Sequence, residues 1–244
     1  MRCFHFLLIA CLACLFVAGC SGKPAPLNPE HKVDEQQDII IGSKDAPHEM
    51  IIYTSPGCYP CLRLFGLSHQ IIKERYVDSG NLRLVFRQVP GIVPFVKDED
   101  GGTKIFKRGQ SNSALAAISA RCANHYLGDK GYTDTLYYLY AALNENVPGP
   151  QLQAWPHYND TTIQKIFFAI GKKGQVSKEQ YETCLAEPMK SDTLKILNRN
   201  ADIFSKDLGQ KTLPAYYLDG KKLDLDTKLP SEELRKILKE TFGK

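Results

Sequence analysis

Apolar runs rich in β-branched residues open this chain's folded part, and helical stripes follow them. Asp38-Ile39-Ile40-Ile41 reads as a first strand, stopped by Gly42-Ser43. Met50 to Thr54 reads as a second, ended by the breaker Ser55-Pro56-Gly57. From Cys61 onward Leu64, Leu67 and Ile71 recur at spacings of three and four, which predicts a helix. Leu82 to Val89 reads as a third strand. A helix between two apolar strands predicts a parallel pair joined by a right-handed crossover.

The pattern then changes. Pro90 to Gly102 reads as a loop, and helical periodicity runs from there to Leu208. Leu115, Ile118, Cys122 and Tyr126 share one face. Asn159 or Asp160 caps a segment holding Ile163, Phe167 and Ile170. Ser177 to Gln180 has the form of a capping box before Tyr181, Cys184 and Leu185. Leu194, Leu197, Ala201, Phe204 and Leu208 form a stripe ending at Gly209. Strand pattern returns at Ala215 to Leu218 and at Lys222 to Leu225, with the hairpin signal Asp219-Gly220 between them. Ser231 is placed to cap a last helix carrying Leu234, Ile237, Leu238 and Phe242.

The start of the chain follows other rules. Arg2 precedes an uncharged apolar run from Phe4 to Ala18, which breaks into Val17-Ala18-Gly19-Cys20. A basic start, a short apolar run and small residues describe a secretory signal over residues 1–19. The end of that run resembles a bacterial lipobox, which implies lipid on Cys20 as the membrane attachment. A plain signal peptide with an incidental Cys20 is the alternative. Residues 20–37, with three prolines and little apolar content, are expected to be a flexible tether. By the sorting rule for such lipoproteins, Ser21 points to the outer rather than the inner membrane, facing the periplasm.

Charge excludes one class. Losing Arg2 with the leader lowers the net charge from +4 to +3, too balanced for nucleic acid. Cysteine usage is more specific. Cys3, Cys11 and Cys14 leave with the signal, and Cys20 takes lipid, so Cys58, Cys61, Cys122 and Cys184 remain. An exported domain can keep disulfides. Pairing within C-x-x-C leaves Cys122 for Cys184, each on the apolar face of a helix; two buried free thiols are the alternative.

The chemistry concentrates at Pro56-Gly57-Cys58-Tyr59-Pro60-Cys61, where a strand hands over to a helix. There the helix dipole and free N–H groups stabilise a Cys58 thiolate, the attacking species in disulfide exchange. Cys61, one turn on, can resolve the mixed disulfide. A zinc site would need two further ligands, and neither a second C-x-x-C nor a paired His motif supplies them. An inert structural bridge is the other alternative. Thr212-Leu213-Pro214 stands before a strand, where proline needs a reason. His69 is expected to be exposed on its helix, Lys97 to Asp100 to be a solvated loop, and Phe167 and Phe168 to pack. Trp155 is a core anchor or a surface contact.

Three stretches together resemble the DsbA-like thioredoxin family. These are Ile41 to Pro47 with Met50 to Thr54 and Cys58-Tyr-Pro-Cys61, the helix Ser113 to Ala123, and Thr212 to Lys221. The resemblance spans roughly residues 38 to 242. It implies an α/β thioredoxin-like fold over 38–90 and 209–244, with a mainly helical insertion over 91–208. It also implies Cys58 as nucleophile, Cys61 as resolving thiol and Pro214 as a cis-proline beside them. In that fold the cis-proline frees the preceding backbone, here at Leu213, to pair with substrate.

The expected activity is thiol–disulfide exchange on reduced or unfolded exported proteins, by a monomer without cofactor or metal, reset by a membrane or periplasmic redox partner. Tyr59-Pro60 departs from the Pro-His common in DsbA enzymes. Because Pro60 has no N–H, a weaker oxidant is expected. A reductase or isomerase of the same fold, or a non-catalytic tethered chaperone or binding module, are the alternatives.

Overall fold

The computed structural model describes residues 32–56, 58–89, 96–97, 103–104, 113–146, 165, 169, 176–186, 189–225 and 230–243. Of the helix expected around Ile163 to Ile170 only Lys165 and Ala169 are described, both helical; Cys20, Ser21, Trp155, Phe167 and Phe168 lie outside the described residues.

Strands β1 (Ile39–Ile41), β2 (His48–Thr54) and β3 (Leu82–Gln88) form one sheet with β6 (Ala215–Leu218) and β7 (Lys221–Lys222), in the order β1-β3-β2-β6-β7. Only β2 and β3 run parallel, with His48 opposite Leu82 and Thr54 opposite Gln88. The crossover between them is α1 (Tyr59–Ile72), which runs into a π turn over Lys73–Val77. The fold is thioredoxin-like, with helices inserted between the β–α–β half and the C-terminal hairpin and helix.

Both faces of the sheet are covered, so β2 and β3 are buried nearly throughout. Met50, Ile52, Leu84 and Phe86 face one core, closed by Leu62 and Phe65 of α1 and by Leu234 and Leu238 of α5 (Pro230–Phe242). Ile51, Tyr53 and Val85 face the other, closed by Ala201 and by Phe204. Ala201 belongs to α4 (Met189–Asp202), and Phe204 lies in the π turn that continues it.

The insertion contributes α2 (Ser113–Asn146) and α3 (Lys178–Leu185) before α4. Ala116, Ala120, Tyr132, Leu136 and Leu139 of α2 join the first core. The helix is broken at Gly128, whose φ of 63° is left-handed and suits a residue without Cβ. The Ser177–Gln180 capping box is present, with both reciprocal bonds formed.

Several expectations are corrected. The loop expected over Pro90 to Gly102 contains Val96–Lys97 (β4), which pairs with Thr103–Lys104 (β5) as a small antiparallel ribbon. The second hairpin strand is Lys221–Lys222 rather than Lys222 to Leu225. Leu223 and Leu225 instead turn down onto the first core. The turn between has φ of 49° at Asp219 and 78° at Gly220, the doubly positive geometry of a tight hairpin. The last helix begins at Pro230, so Ser231 lies inside its first turn rather than capping it. Lys32 to Gln37, expected to be tether, are folded against the domain through bonds to Arg87, Arg121 and Arg199.

Candidate active site

The strand–helix junction after β2 positions the cysteine pair. Cys58 is the N-cap of α1, with extended backbone at φ −99° and ψ 106°. Its N–H donates to the Ser55 carbonyl at 3.0 Å, and its own carbonyl accepts from Leu62 at 3.1 Å. Its Sγ therefore takes the place that a serine or aspartate oxygen fills in an ordinary cap. The Cys61 N–H donates to that sulfur at 3.2 Å. Pro60 occupies the second helical position, the other place from which a cap can receive a donor, and has no N–H to give. The two cysteines are joined as a disulfide with Cα atoms 5.2 Å apart. Both cysteines are buried, Cys58 5% exposed and Cys61 2%.

The segment before β6 closes the site. Ala215 pairs with Tyr53, which puts Pro214 level with Thr54, four residues before Cys58. The Leu213–Pro214 peptide bond is cis. Leu213 packs in the same buried cluster as Cys58, Cys61, Tyr53 and Tyr217. Thus Cys58, Cys61, Leu213 and Pro214 converge at one end of the sheet, and Pro60 is exposed above them. Tyr59 opens α1.

Cys122 and Cys184 lie elsewhere. They are joined as a disulfide between α2 and α3, with Cα atoms 6.0 Å apart. Ile118 and Tyr181 surround them in a separate small core.

Beneath α1 a cavity of about 20 Å³ is lined by Cys61, Thr54, Phe65, Ser68 and His69, among others. It has room for about one water. His69, expected to be exposed, is 4% exposed and stacks on Phe65 at 4.4 Å. The reason is register: His69 follows Cys61, Phe65 and Ser68 along the buried stripe of α1 rather than its solvent face. Burial lowers its pKa to about 4, with the Lys73 charge adding to the effect and Asp78 opposing it. Neither His69 Nε2 nor Ser68 Oγ has a hydrogen-bond partner among the described residues.

The sequence pattern did not single out Arg87, which is fully buried in β3. It forms an ion pair with Asp38 at 3.0 Å, and its Nη1 donates to the Tyr53 hydroxyl at 2.9 Å. The available signal was a charged residue inside a strand apolar on both faces, which requires a buried partner. Among the described residues, no group of three or more His, Cys, Asp and Glu is placed to hold a metal ion, and no helix is long and apolar enough to cross a membrane.

A two-sided sheet with a disulfide capping its crossover helix and a cis-proline alongside defines a thioredoxin-fold protein with a dithiol centre. A family model described as thioredoxin matches residues 34–240, and the chain belongs to that family. Its fold is of the DsbA-like kind. The chain superimposes on Wolbachia pipientis alpha-DsbA1 with a TM-score of 0.57 at 17% identity, covering 86% of this chain and 94% of that one. It superimposes on MdbA, a thiol-disulfide oxidoreductase from Corynebacterium diphtheriae, with a TM-score of 0.59 at 18% identity, covering 82% and 90%. A Rickettsia bellii protein with the provisional name protein-disulfide oxidoreductase is 25% identical over 169 residues, which are 69% of this chain and 52% of that protein. The chain thus spans about half the length of the curated relatives it matches.

Proposed function

We propose that this chain catalyses thiol–disulfide exchange on exported proteins through Cys58 and Cys61. The observation that carries the reading is the placing of Cys58 Sγ at the helix cap, receiving the Cys61 N–H at 3.2 Å. In the closed form a substrate thiolate attacks Cys58 Sγ. The Cys58–Cys61 bond breaks, a substrate–Cys58 disulfide forms, and Cys61 leaves as thiolate. A second substrate thiolate then attacks the substrate sulfur of that mixed disulfide. Cys58 leaves as a thiolate held by the helix N-terminus, and the substrate gains one disulfide as the pair gains two electrons. Leu213, beside the pair, offers backbone for an extended substrate segment, as the family resemblance implies. Provisional names of the Rickettsia relatives support the same chemistry.

The setting is the cell envelope, facing the periplasm, with lipid on Cys20 as anchor. The support is the residue 1–19 pattern and the small residues before Cys20. Mass spectrometry of the mature N-terminus tests it: a lipid adduct on Cys20 is expected, and an unmodified N-terminus elsewhere would refute the anchor.

One observation favours a reducing role within the same chemistry. Pro60 withholds the second donor that an N-cap sulfur would receive. This disfavours the reduced, thiolate-bearing form and so weakens the pair as an oxidant. Oxidative refolding of a reduced protein, assayed beside insulin reduction, tests exchange and its direction together. Cys58→Ser is expected to abolish both, and undiminished turnover in that variant would refute the catalytic role.

A further inference from the structure

A polar row crosses the first core at the cysteine end of the sheet. Thr54 and Gln88 are the last paired residues of β2 and β3 and lie opposite each other. By alternation both share the face of Ile52 and Phe86. On that face Thr54 and Cys61 line the cavity beneath α1. Ile39 of β1 lies opposite Phe86, so Gln37 before it lies beyond Gln88 in the same row. Arg121 of α2 donates to the Gln37 carbonyl at 2.9 Å. Both ends of the Gln88 amide and the Tyr132 hydroxyl are buried without a hydrogen-bond partner among the described residues. Burial raises the Tyr132 pKa, and the Arg121 charge and the Gln88 side chain oppose it, which places both beside that hydroxyl.

Arg121 brings charge to this row. Around residues 34–38 three arginines meet two aspartates. Arg87 pairs with Asp38 at 3.0 Å, and Arg199 lies 3.7 Å from Asp38 and 3.9 Å from Asp34. Among the described residues Arg121 has no carboxylate within salt-bridge distance. Burial lowers its pKa, with Tyr132 and Asp38 opposing, but a guanidinium stays charged in a protein. The cluster therefore holds one more cation than anions. Lys32, Arg63 and the Glu35–Lys44 pair are exposed and screened by solvent. His69 of α1 and Tyr216 of β6, the other titratable groups lining the Cys61 cavity, are kept neutral by burial, and α5 contributes Leu234 there.

We propose that Arg121, acting along this row, stabilises Cys61 as the leaving thiolate, so that a residue of the inserted helices sets how fast the disulfide opens. The inference rests on the exchange chemistry proposed above. When a substrate thiolate attacks Cys58 Sγ, the electron pair of the broken S–S bond passes to Cys61 Sγ, and no proton moves. Cys61 is buried, so solvent cannot supply the stabilisation that its new charge needs. Exchange runs faster when the leaving thiol is more acidic. A cation on the same face of the sheet favours the anionic sulfur, and the Gln88 and Thr54 dipoles between them can turn to carry the field. Arg121 touches neither sulfur and is a positioning residue.

The test isolates Cys61. In the chain from residue 20 onward, Cys20→Ser and Cys58→Ser leave Cys61 as the one thiol while Cys122–Cys184 is closed. Its acid constant is read from the Cβ chemical shift of isotope-labelled cysteine against pH. Gln37 lies two strands from Thr54, about 10 Å away at the usual strand spacing. A unit charge about 12 Å from the sulfur, at an effective dielectric of about 20, changes an ionisation constant about tenfold. With Asp38 and solvent offsetting part of the field, Arg121→Gln is expected to lower the Cys61 acid constant about threefold. Asp34→Asn removes an anion from the same cluster and keeps the Oδ1 that accepts from the Gln36 N–H. Because Asp34 is partly exposed, that variant is expected to raise the constant by about twofold.

Both substitutions loosen the same segment, so a merely structural role would move the constant in one direction. A field moves it in opposite directions. An unshifted constant in either variant, or shifts of the same sign, would overturn the proposal and leave the exchange chemistry standing. With Cys58 restored and the pair oxidised, its opening by glutathione at one fixed pH should slow by about twofold in Arg121→Gln and quicken in Asp34→Asn. Unchanged opening rates in both variants would likewise overturn the role of Arg121 alone. A wild-type pair that glutathione does not open would refute the exchange reading, and this inference with it.

Discussion

The backbone N–H of Cys61 points at the sulfur of Cys58 across the first turn of α1, 3.2 Å away, while Pro60 between them has no N–H to add. An N-cap acceptor can draw on the second or the third helical N–H group. Here only the third is available. The balance between thiolate and disulfide at this centre is therefore set by one strong donor and the helix dipole.

Restoring the missing donor tests that relationship. Pro60→Ala supplies an N–H at the second helical position without enlarging the side chain. A hydrogen bond to a charged group contributes about 1.5–3 kcal/mol. The reduction potential of the pair should rise by about 30 mV or more, at about 30 mV per 1.4 kcal/mol. Equilibration with glutathione measures it, and an unchanged or lower potential would show that the proline does not control the thiolate.

His69 makes stability depend on pH. Its folded pKa, about 4, lies below the unfolded value of 6.5, so folding favours the neutral ring. Its contribution is complete above about pH 6.5 and is lost as pH falls through about 4. The loss approaches about 3 kcal/mol, at about 1.4 kcal/mol for each pH unit between the two values. Denaturant melts from pH 7 to pH 4 should show the wild type weakening more than His69→Leu over that window. Parallel curves would contradict the buried neutral imidazole.

The buried pair of Arg87 and Asp38 should behave asymmetrically. Removing one partner strands the other as an uncompensated charge, at a cost of about 3–5 kcal/mol. Arg87→Leu should also free Lys32 to Gln37, seen as faster proteolysis in that segment. Combining it with Asp38→Leu should recover much of the stability, because two apolar side chains replace a desolvated pair. Equal destabilisation by the single and double variants would argue against the pair as the determinant.

The fold was legible where each residue's pattern had one dominant cause. Met50 to Thr54 and Leu82 to Val89 are buried on both faces, so apolar β-branched runs declared them. Asp219-Gly220 declared its hairpin because left-handed backbone restricts residue type. The break at Gly128 was hidden because Ala116 and Ala120 before it and Tyr132, Leu136 and Leu139 after it pack into the same core. His69 was misread because a polar residue at a buried helical position looks like a residue one step out of register. Lys32 to Gln37 read as tether because main-chain groups, invisible to composition, provide most of their anchoring. At the site itself, Cys58 and Cys61 stood out by spacing and Pro214 through the family resemblance, whereas Arg87 required knowing that β3 has no exposed face.

The disulfide between Cys122 and Cys184 should act on stability and not on turnover. It closes a loop of 62 residues between α2 and α3, far from Cys58 along the chain. Replacing both with Ala should cost about 4 kcal/mol in the chain-entropy account, with the exchange rate at 25 °C within about twofold of wild type. Urea melts and a dithiol oxidation assay on the same protein separate the two effects. A large fall in rate with stability preserved would assign this pair a redox role.

The most direct test of Cys58 as the attacking sulfur is a trap. In Cys61→Ser the resolving thiol is absent, so a mixed disulfide formed at Cys58 has no internal route of release. The reduced variant, incubated with an oxidised substrate protein and analysed by non-reducing gel and peptide mass spectrometry, should accumulate a covalent complex linked through Cys58. Under the same conditions the wild type should pass through it without accumulation. Absence of the complex, with Cys58 shown to be reduced and the wild type equally inert, would contradict thiol–disulfide exchange at this site.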